Sequence, residues 1–190
     1  IMSMPYPRPL AELRHAPHVS VSQIKSYLAC PEKHHHIYIL HTEVSHRPAA
    51  LAFGSAIHHA LAIFYEHIQE HGDKPALDVM QSAFADRWDV ELQDDTPIRF
   101  DDGQNAGQTK DMGMSLLSVF REQGFVPDEV IGVEVPFKCD LPDPSTGLFM
   151  ETPLIGAIDL VAIHDGRIQL VEHKTAARRF TPDRLLYDLQ

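Results

Sequence analysis

An α/β fold, with strands and helices mixed along one chain, is what this sequence predicts, and three observations carry the prediction. Two runs rich in β-branched and apolar residues, 154–163 and 167–175, flank Asp165-Gly166, the strongest short-range signal for a tight hairpin turn. Residues 129–141 alternate, with Val133, Val135 and Phe137 on one face and Glu134 and Lys138 on the other, the pattern of a half-buried strand. Between 51 and 123 apolar stripes recur with helical spacing.

The bulk numbers set limits. A chain of 190 residues fits one domain of ordinary size with a real core. Its 44% apolar and 23% charged residues belong to a folded, soluble protein and not to a disordered one. No apolar run approaches the ~20 residues that span a bilayer, and the first residues hold no apolar signal core. Cys30 and Cys139 cannot build a disulfide framework, so a reducing, cytoplasmic setting is expected. A net charge of −11 argues against a general nucleic-acid coat. The excess is confined to residues 51–170, where seven Lys/Arg meet twenty-one acids. Residues 1–50 carry five against three, with seven histidines, and residues 171–190 carry four against three. The two ends can therefore frame a phosphate-binding cleft while the middle supplies solvated surface.

Along the chain, the prolines of 1–19 predict an extended arm before a domain spanning 20–190. A short helix follows over 19–31, capped by Ser20 or Ser22 and stopped by Pro31, with Ile24, Tyr27 and Leu28 in phase. Residues 32–41 continue as a second helix with Ile37 and Leu40 turned inward. The helix expected over 51–71 has Ile57, Leu61, Phe64 and Ile68 in one stripe. His58 stands at the edge of that stripe, on a line with Gly54 and Tyr65, and Gly54 leaves room for an approach to it. His59 points nearly opposite, beside Glu66 and Glu70. Leu77, Met80, Phe84 and Trp88 predict a helix over 76–92; Met114, Leu117 and Phe120 predict another over 110–123, ended by Gly124. These stripes read as core. Residues 94–107 and 142–147 read as loops, and Thr181-Pro182 reads as a helix start leading into Leu185, Leu186 and Leu189.

The hairpin carries the chemistry. With a two-residue turn at 165–166, facing residues have numbers totalling 331, so Asp159 falls opposite Glu172. Lys174, two residues on, shares the face of Glu172. Facing carboxylates repel, and a divalent cation between them would turn repulsion into attraction; the alternative is a solvated hairpin end. Glu134 is a candidate third carboxylate or an exposed strand position. Oxygen ligands point to Mg²⁺ or Mn²⁺, whereas zinc is disfavoured without a Cys-x-x-Cys. His34, His35 and His36 face three different ways and read as a titratable patch. A lysine beside such a pair suits phosphoryl-transfer hydrolysis. The chain has no Gly-x-x-x-x-Gly-Lys phosphate loop, no Gly-x-Ser-x-Gly elbow and no motif marking either cysteine as a nucleophile.

Five pieces, in order, resemble one known group. They are Ser22-Gln-Ile-Lys-Ser-Tyr-Leu-Ala-Cys-Pro31, Phe53-Gly-Ser-Ala-Ile-His58, Val133-Glu-Val-Pro-Phe137, Gly156-Ala-Ile-Asp159 and Val171-Glu-His-Lys-Thr175. Together they resemble the PD-(D/E)xK nuclease superfamily, and within it the RecB-like branch of AddB-type and CRISPR-associated exonucleases. The resemblance implies a restriction-endonuclease-like mixed β-sheet flanked by helices, with 60–125 a helical insertion before the catalytic hairpin. It implies Asp159, Glu172 and Lys174 as catalytic residues. His58, Asp159, Glu172 and the backbone carbonyl of His173 would be metal ligands, and Lys174 would position or activate the attacking water. It points to Tyr27 and Gln190 as DNA contacts. The branch's Gln-x-x-x-Tyr element would begin at Gln190, so later elements of the domain are expected beyond it. Some relatives hold an iron–sulfur cluster; Cys30 fits its first ligand, but no later trio is present and Cys139 precedes the hairpin, so no cluster is assigned.

The function implied is a Mg²⁺- or Mn²⁺-dependent DNA nuclease, an exonuclease on single strands or DNA ends. Its expected partners are DNA and a helicase or another repair or CRISPR component, with no membrane. The rivals are a nuclease-fold module that binds DNA or a partner without cutting, and a metallohydrolase of small phosphate esters.

Overall fold

The computed structural model describes residues 9–176. Its elements run, in chain order, α1 (Leu10–Leu13), β1 (Val19–Ser20), α2 (Val21–Ala29), α3 (Pro31–His34), a π-helical turn (His35–Ile39), β2 (Arg47–Pro48), α4 (Ala49–His71), α5 (Leu77–Leu92), β3 (Ile98–Arg99), α6 (Ala106–Gln123), β4 (Glu129–Cys139), β5 (Leu154–His164) and β6 (Arg167–Val171). The main sheet is mixed, in the order β1-β5-β4, with β6 also paired on β5. The α/β class with a mixed sheet flanked by helices is therefore what the chain forms. No helix among the described residues is long and apolar enough to cross a membrane.

The chain divides into two compact units. The first holds residues 9–43 and 134–158. Here Val19 and Ser20 run parallel to Leu154 and Ile155. Ser20 then caps α2: its hydroxyl accepts from the Gln23 N–H, and the Gln23 side chain accepts from the Ser20 N–H. This reciprocal pair satisfies two backbone donors and explains why the helix starts where it does. At the close approach of β4 and β5, a Cβ on Gly156 would lie 2.8 Å from the Phe137 ring. Two expectations fail in this unit. Leu10–Leu13 forms a helical turn where an extended arm is expected. Ile37 and Leu40 are exposed rather than inward, because Leu40 N–H bonds to the His35 carbonyl in a π-turn. One wider turn adds a residue and rotates everything after it out of the α-helical phase.

The second unit holds residues 44–133 and 159–176. Its core joins α4, α5 and α6 to the sheet through Ile57, Phe64, Phe84, Trp88, Leu117 and Leu160. Ala52, Ala56 and Ala60 lie on one line of α4 and are almost fully buried, so their small side chains permit close packing. The helix ends at Gly72, whose φ of 80° is the left-handed cap that only glycine adopts freely. Gly124 also ends a helix, but at φ −65°. There glycine is needed for space, since a Cβ would lie 2.4 Å from the Phe120 carbonyl oxygen. Glu91, 6% exposed, ties the start of α4 to α5. It accepts from Arg47 at 2.7 Å and Ser55 at 2.8 Å and pairs with Arg87 at 2.7 Å. Burial works to raise its pKa, but Ser55 and the two arginines outweigh it, and the carboxyl lies below its ordinary value.

The hairpin has the register expected. Leu160 pairs with Val171, and each pair onward to His164 and Arg167 keeps the same total. Asp165 at φ 51° and Gly166 at φ 69° form the turn, both in the left-handed region that a two-residue type I′ hairpin requires. Asp128 holds it from outside: its N–H donates to the Ile163 carbonyl, and its carboxylate accepts from the Asp165 N–H.

Candidate active site

Local sequence brings four of the expected residues, Asp159, Glu172, His173 and Lys174, to two neighbouring stretches. Asp159 stands on β5, one residue before the ladder with β6 begins. Residues 172–176 follow β6 but are not strand, so the second run is shorter than the 167–175 expected. The physical reason lies in one hydrogen bond. The His173 N–H donates to Asp159 Oδ2 at 2.7 Å, so a side chain, not the opposite backbone, takes that amide.

His58 of α4 meets the same carboxylate, with Nδ1 3.5 Å from Asp159 Oδ2. His59, one residue on, is exposed, as the helix phase requires. The whole line predicted on α4 faces this segment. Gly54 lies against Thr175, whose hydroxyl would be 3.5 Å from a Cβ placed on the glycine. Tyr65 stacks on the His173 ring, centroids 5.4 Å apart and planes 15° from parallel. One helix face therefore carries a catalytic candidate and two supports for the segment opposite.

Lys174 Nζ donates to Glu172 Oε1 at 2.5 Å, and both side chains are about one-third exposed, 35% and 36%. Sharing a face, as the spacing predicts, lets them pair directly. His58 and Asp159 belong to the group of described side chains able jointly to hold a metal ion; Glu172 does not. Glu134 is exposed on β4, in the first unit, with φ 47°. Tyr27 is 55% exposed on α2, its ring edge-on to His34. Cys30 is an exposed thiol that caps α3 by accepting from the Lys33 N–H. Gln190 and the helix expected from Thr181 lie outside the described residues.

The electrostatics follow from these contacts. Burial works to raise the Asp159 pKa, but the His58 ring and the His173 N–H together overcome it, so the carboxyl lies below its ordinary value and is ionised at neutral pH. Burial lowers the His173 pKa, with Asp159 opposing in part, so this imidazole is neutral. Sequence reasoning assigned His173 a backbone role only. Its side chain is the feature that reasoning missed, and the signal was present: a residue between Glu172 and Lys174 points away from both. An anionic carboxylate beside an imidazole, with a second carboxylate in reach of a lysine, fits a hard divalent cation with oxygen and nitrogen donors.

The pattern of the PD-(D/E)XK nuclease superfamily matches residues 18–190. The match covers most of the chain, and the protein belongs to that superfamily. Its members are metal-dependent nucleases that hydrolyse phosphodiester bonds, which makes nucleic acid the substrate class. No curated protein and no solved structure matches the chain.

Proposed function

We propose that this protein is a Mg²⁺- or Mn²⁺-dependent deoxyribonuclease of the RecB-like branch, an exonuclease acting on single strands or DNA ends. The observation that carries the reading is the Asp159 carboxylate, approached by His58 at 3.5 Å and gripped at 2.7 Å by the N–H of His173, the residue between Glu172 and Lys174. In this reading Asp159, His58, Glu172 and the His173 carbonyl hold the cation. Once bound, that cation acidifies water and neutralises phosphate charge.

The chain's own residues do the rest. The His173 N–H fixes the direction in which Asp159 presents its lone pairs. Lys174 orients the attacking water toward phosphorus and stabilises the charge that builds on the phosphoryl oxygens. Water oxygen bonds to phosphorus, the bond to the leaving sugar oxygen breaks, and the water's proton ends on that leaving oxygen. Glu172 holds Lys174 in place before substrate arrives. The five ordered motifs, from Ser22 to Thr175, support the branch; Tyr27 and Gln190 are the proposed DNA contacts. A helicase or another repair or CRISPR component is the proposed partner, in the cytoplasm.

The test is cleavage of end-labelled single- and double-stranded DNA with Mg²⁺ or Mn²⁺, wild type against Lys174→Ala. Metal-dependent cutting that disappears in the variant, while Mn²⁺ binding persists, is the expected result. Metal binding without cutting of either DNA would overturn it. The acidic surface of residues 51–170 favours the small-ester reading. Polarisation of labelled DNA decides between them, because a DNA enzyme loses affinity steeply as salt rises.

A further inference from the structure

The His173 ring has surroundings that its place between two catalytic candidates does not explain. It lies parallel to Tyr65 at 5.4 Å and edge-on to Phe120 at 6.0 Å. Its Nε2 is buried without a hydrogen-bond partner among the described residues. Tyr65 is itself 1% exposed and is pinned by its hydroxyl, which donates to the Phe125 carbonyl at 3.0 Å. Phe125 follows the end of α6, so the stack ties residues 172–174 to both α4 and α6.

This matters because the segment has no ladder to hold it. The pairing of β5 with β6 stops at Leu160 and Val171, leaving Glu172 and Lys174 beyond the last pair. Burying a nitrogen without a hydrogen-bond partner in an aromatic site costs stability. The site therefore uses the shape and flatness of the ring, not its hydrogen bonds.

We propose that the His173 side chain is a positioning residue. Stacked on Tyr65 and edge-on to Phe120, it sets the backbone of 172–174 so that its own N–H reaches Asp159 while Glu172 and Lys174 face the opposite way. The proposal rests on the nuclease reading for its kinetic consequence, but not for its effect on cation binding, which the same backbone placement governs. It distinguishes this ring from a filler of the core: a filler affects stability alone, whereas a positioning ring affects kcat and metal affinity together.

The experiment compares wild type with His173→Ala, His173→Phe and Tyr65→Ala. Mn²⁺ binding is read by electron paramagnetic resonance, DNA cleavage as kcat and KM, and stability as Tm. Misplacement of about 1 Å in reacting groups is enough to cost ~10²-fold. His173→Ala is expected to lower kcat by about that factor, with KM little changed and Mn²⁺ bound more weakly. His173→Phe keeps a flat ring and loses the orphaned nitrogen, and it is expected to restore kcat and Mn²⁺ affinity to within about twofold, at a higher Tm. Tyr65→Ala should behave as His173→Ala. A folded His173→Phe as impaired as the alanine variant would overturn the proposal, and so would a His173→Ala that loses Tm but keeps kcat and Mn²⁺ affinity. If wild type binds Mn²⁺ without cutting DNA, the nuclease reading fails while the Mn²⁺ series still decides the role of the ring. Failure of His173→Ala to fold leaves the decision to His173→Phe alone.

Discussion

Replacing Glu91 with glutamine keeps the shape of the side chain and removes its charge. Glu91 is 6% exposed and pairs at 2.7 Å with both Arg47 and Arg87. Breaking a buried ion pair by removing one partner costs about 3–5 kcal/mol. Two features reduce that figure here. The glutamine still hydrogen-bonds to Ser55 and an arginine, and the arginine side chains are 24% and 43% exposed, so water recovers part of their charge. A loss of about 2 kcal/mol remains, which for a chain of this size lowers Tm by about 4–8 °C. The folded pKa of Glu91 is depressed. Its contribution is therefore complete above the unfolded carboxyl value of about 4.3 and is lost as pH falls through the folded value. Urea unfolding of wild type and Glu91→Gln should show the full gap at neutral pH and a narrowing gap on acidification below that value. A neutral-pH gap under about 0.5 kcal/mol, or one that acid leaves unchanged, would refute the argument for a charge-dependent clamp.

Three further outcomes are expected. His58→Ala should weaken Mn²⁺ binding by at least tenfold, since losing an outer support of a metal ligand already costs about 10–100-fold. His59→Ala should stay within about twofold on the same titration, and equal damage from both would sink the assignment of helix face. Gly113→Ala should destabilise the fold, read by thermal unfolding. A Cβ there would lie 2.1 Å from Cζ of the buried Phe84 ring, and overpacking at about 1–3 kcal/mol exceeds the ~1 kcal/mol that alanine gains in a helix.

The parts legible in the sequence were those decided by local backbone chemistry. Asp165-Gly166 demands two left-handed residues, and that demand sets the register of every pair from Leu160 to His164. The phase of α4 separates His58 from His59 because 100° per residue leaves no freedom. What escaped was decided elsewhere. The end of β6 depends on which acceptor takes the His173 N–H, and the acceptor is a side chain fourteen residues away. The π-turn at His35–Ile39 carries no residue type that marks it, so a continuous helical phase puts Ile37 and Leu40 on the wrong side. In β4 simple alternation places Val133 inward, yet Val130 is buried too. Two inward residues three apart require a break in the pleat between them, and no residue type in that interval announces it.

These same failures explain how the site is held. Had β6 continued in register to Thr175, the backbone of β5 would hold Glu172 and Lys174, and the carboxylate of Asp159 would have no amide to accept. Leaving the ladder at Val171 frees the His173 N–H for Asp159 and transfers the job of holding the segment to α4, through Tyr65 on His173 and Gly54 on Thr175. The placement of α4 then becomes the placement of the site. Ser55, which Glu91 holds at 2.8 Å, is the neighbour of Gly54 and three residues from His58. The buried clamp on Glu91 thus acts on the same turn of helix that meets residues 172–176. An α4 loosened at that turn shifts His58 and the seat of Thr175 together. The charge network on Glu91 is therefore expected to matter to the geometry of Asp159 as well as to stability.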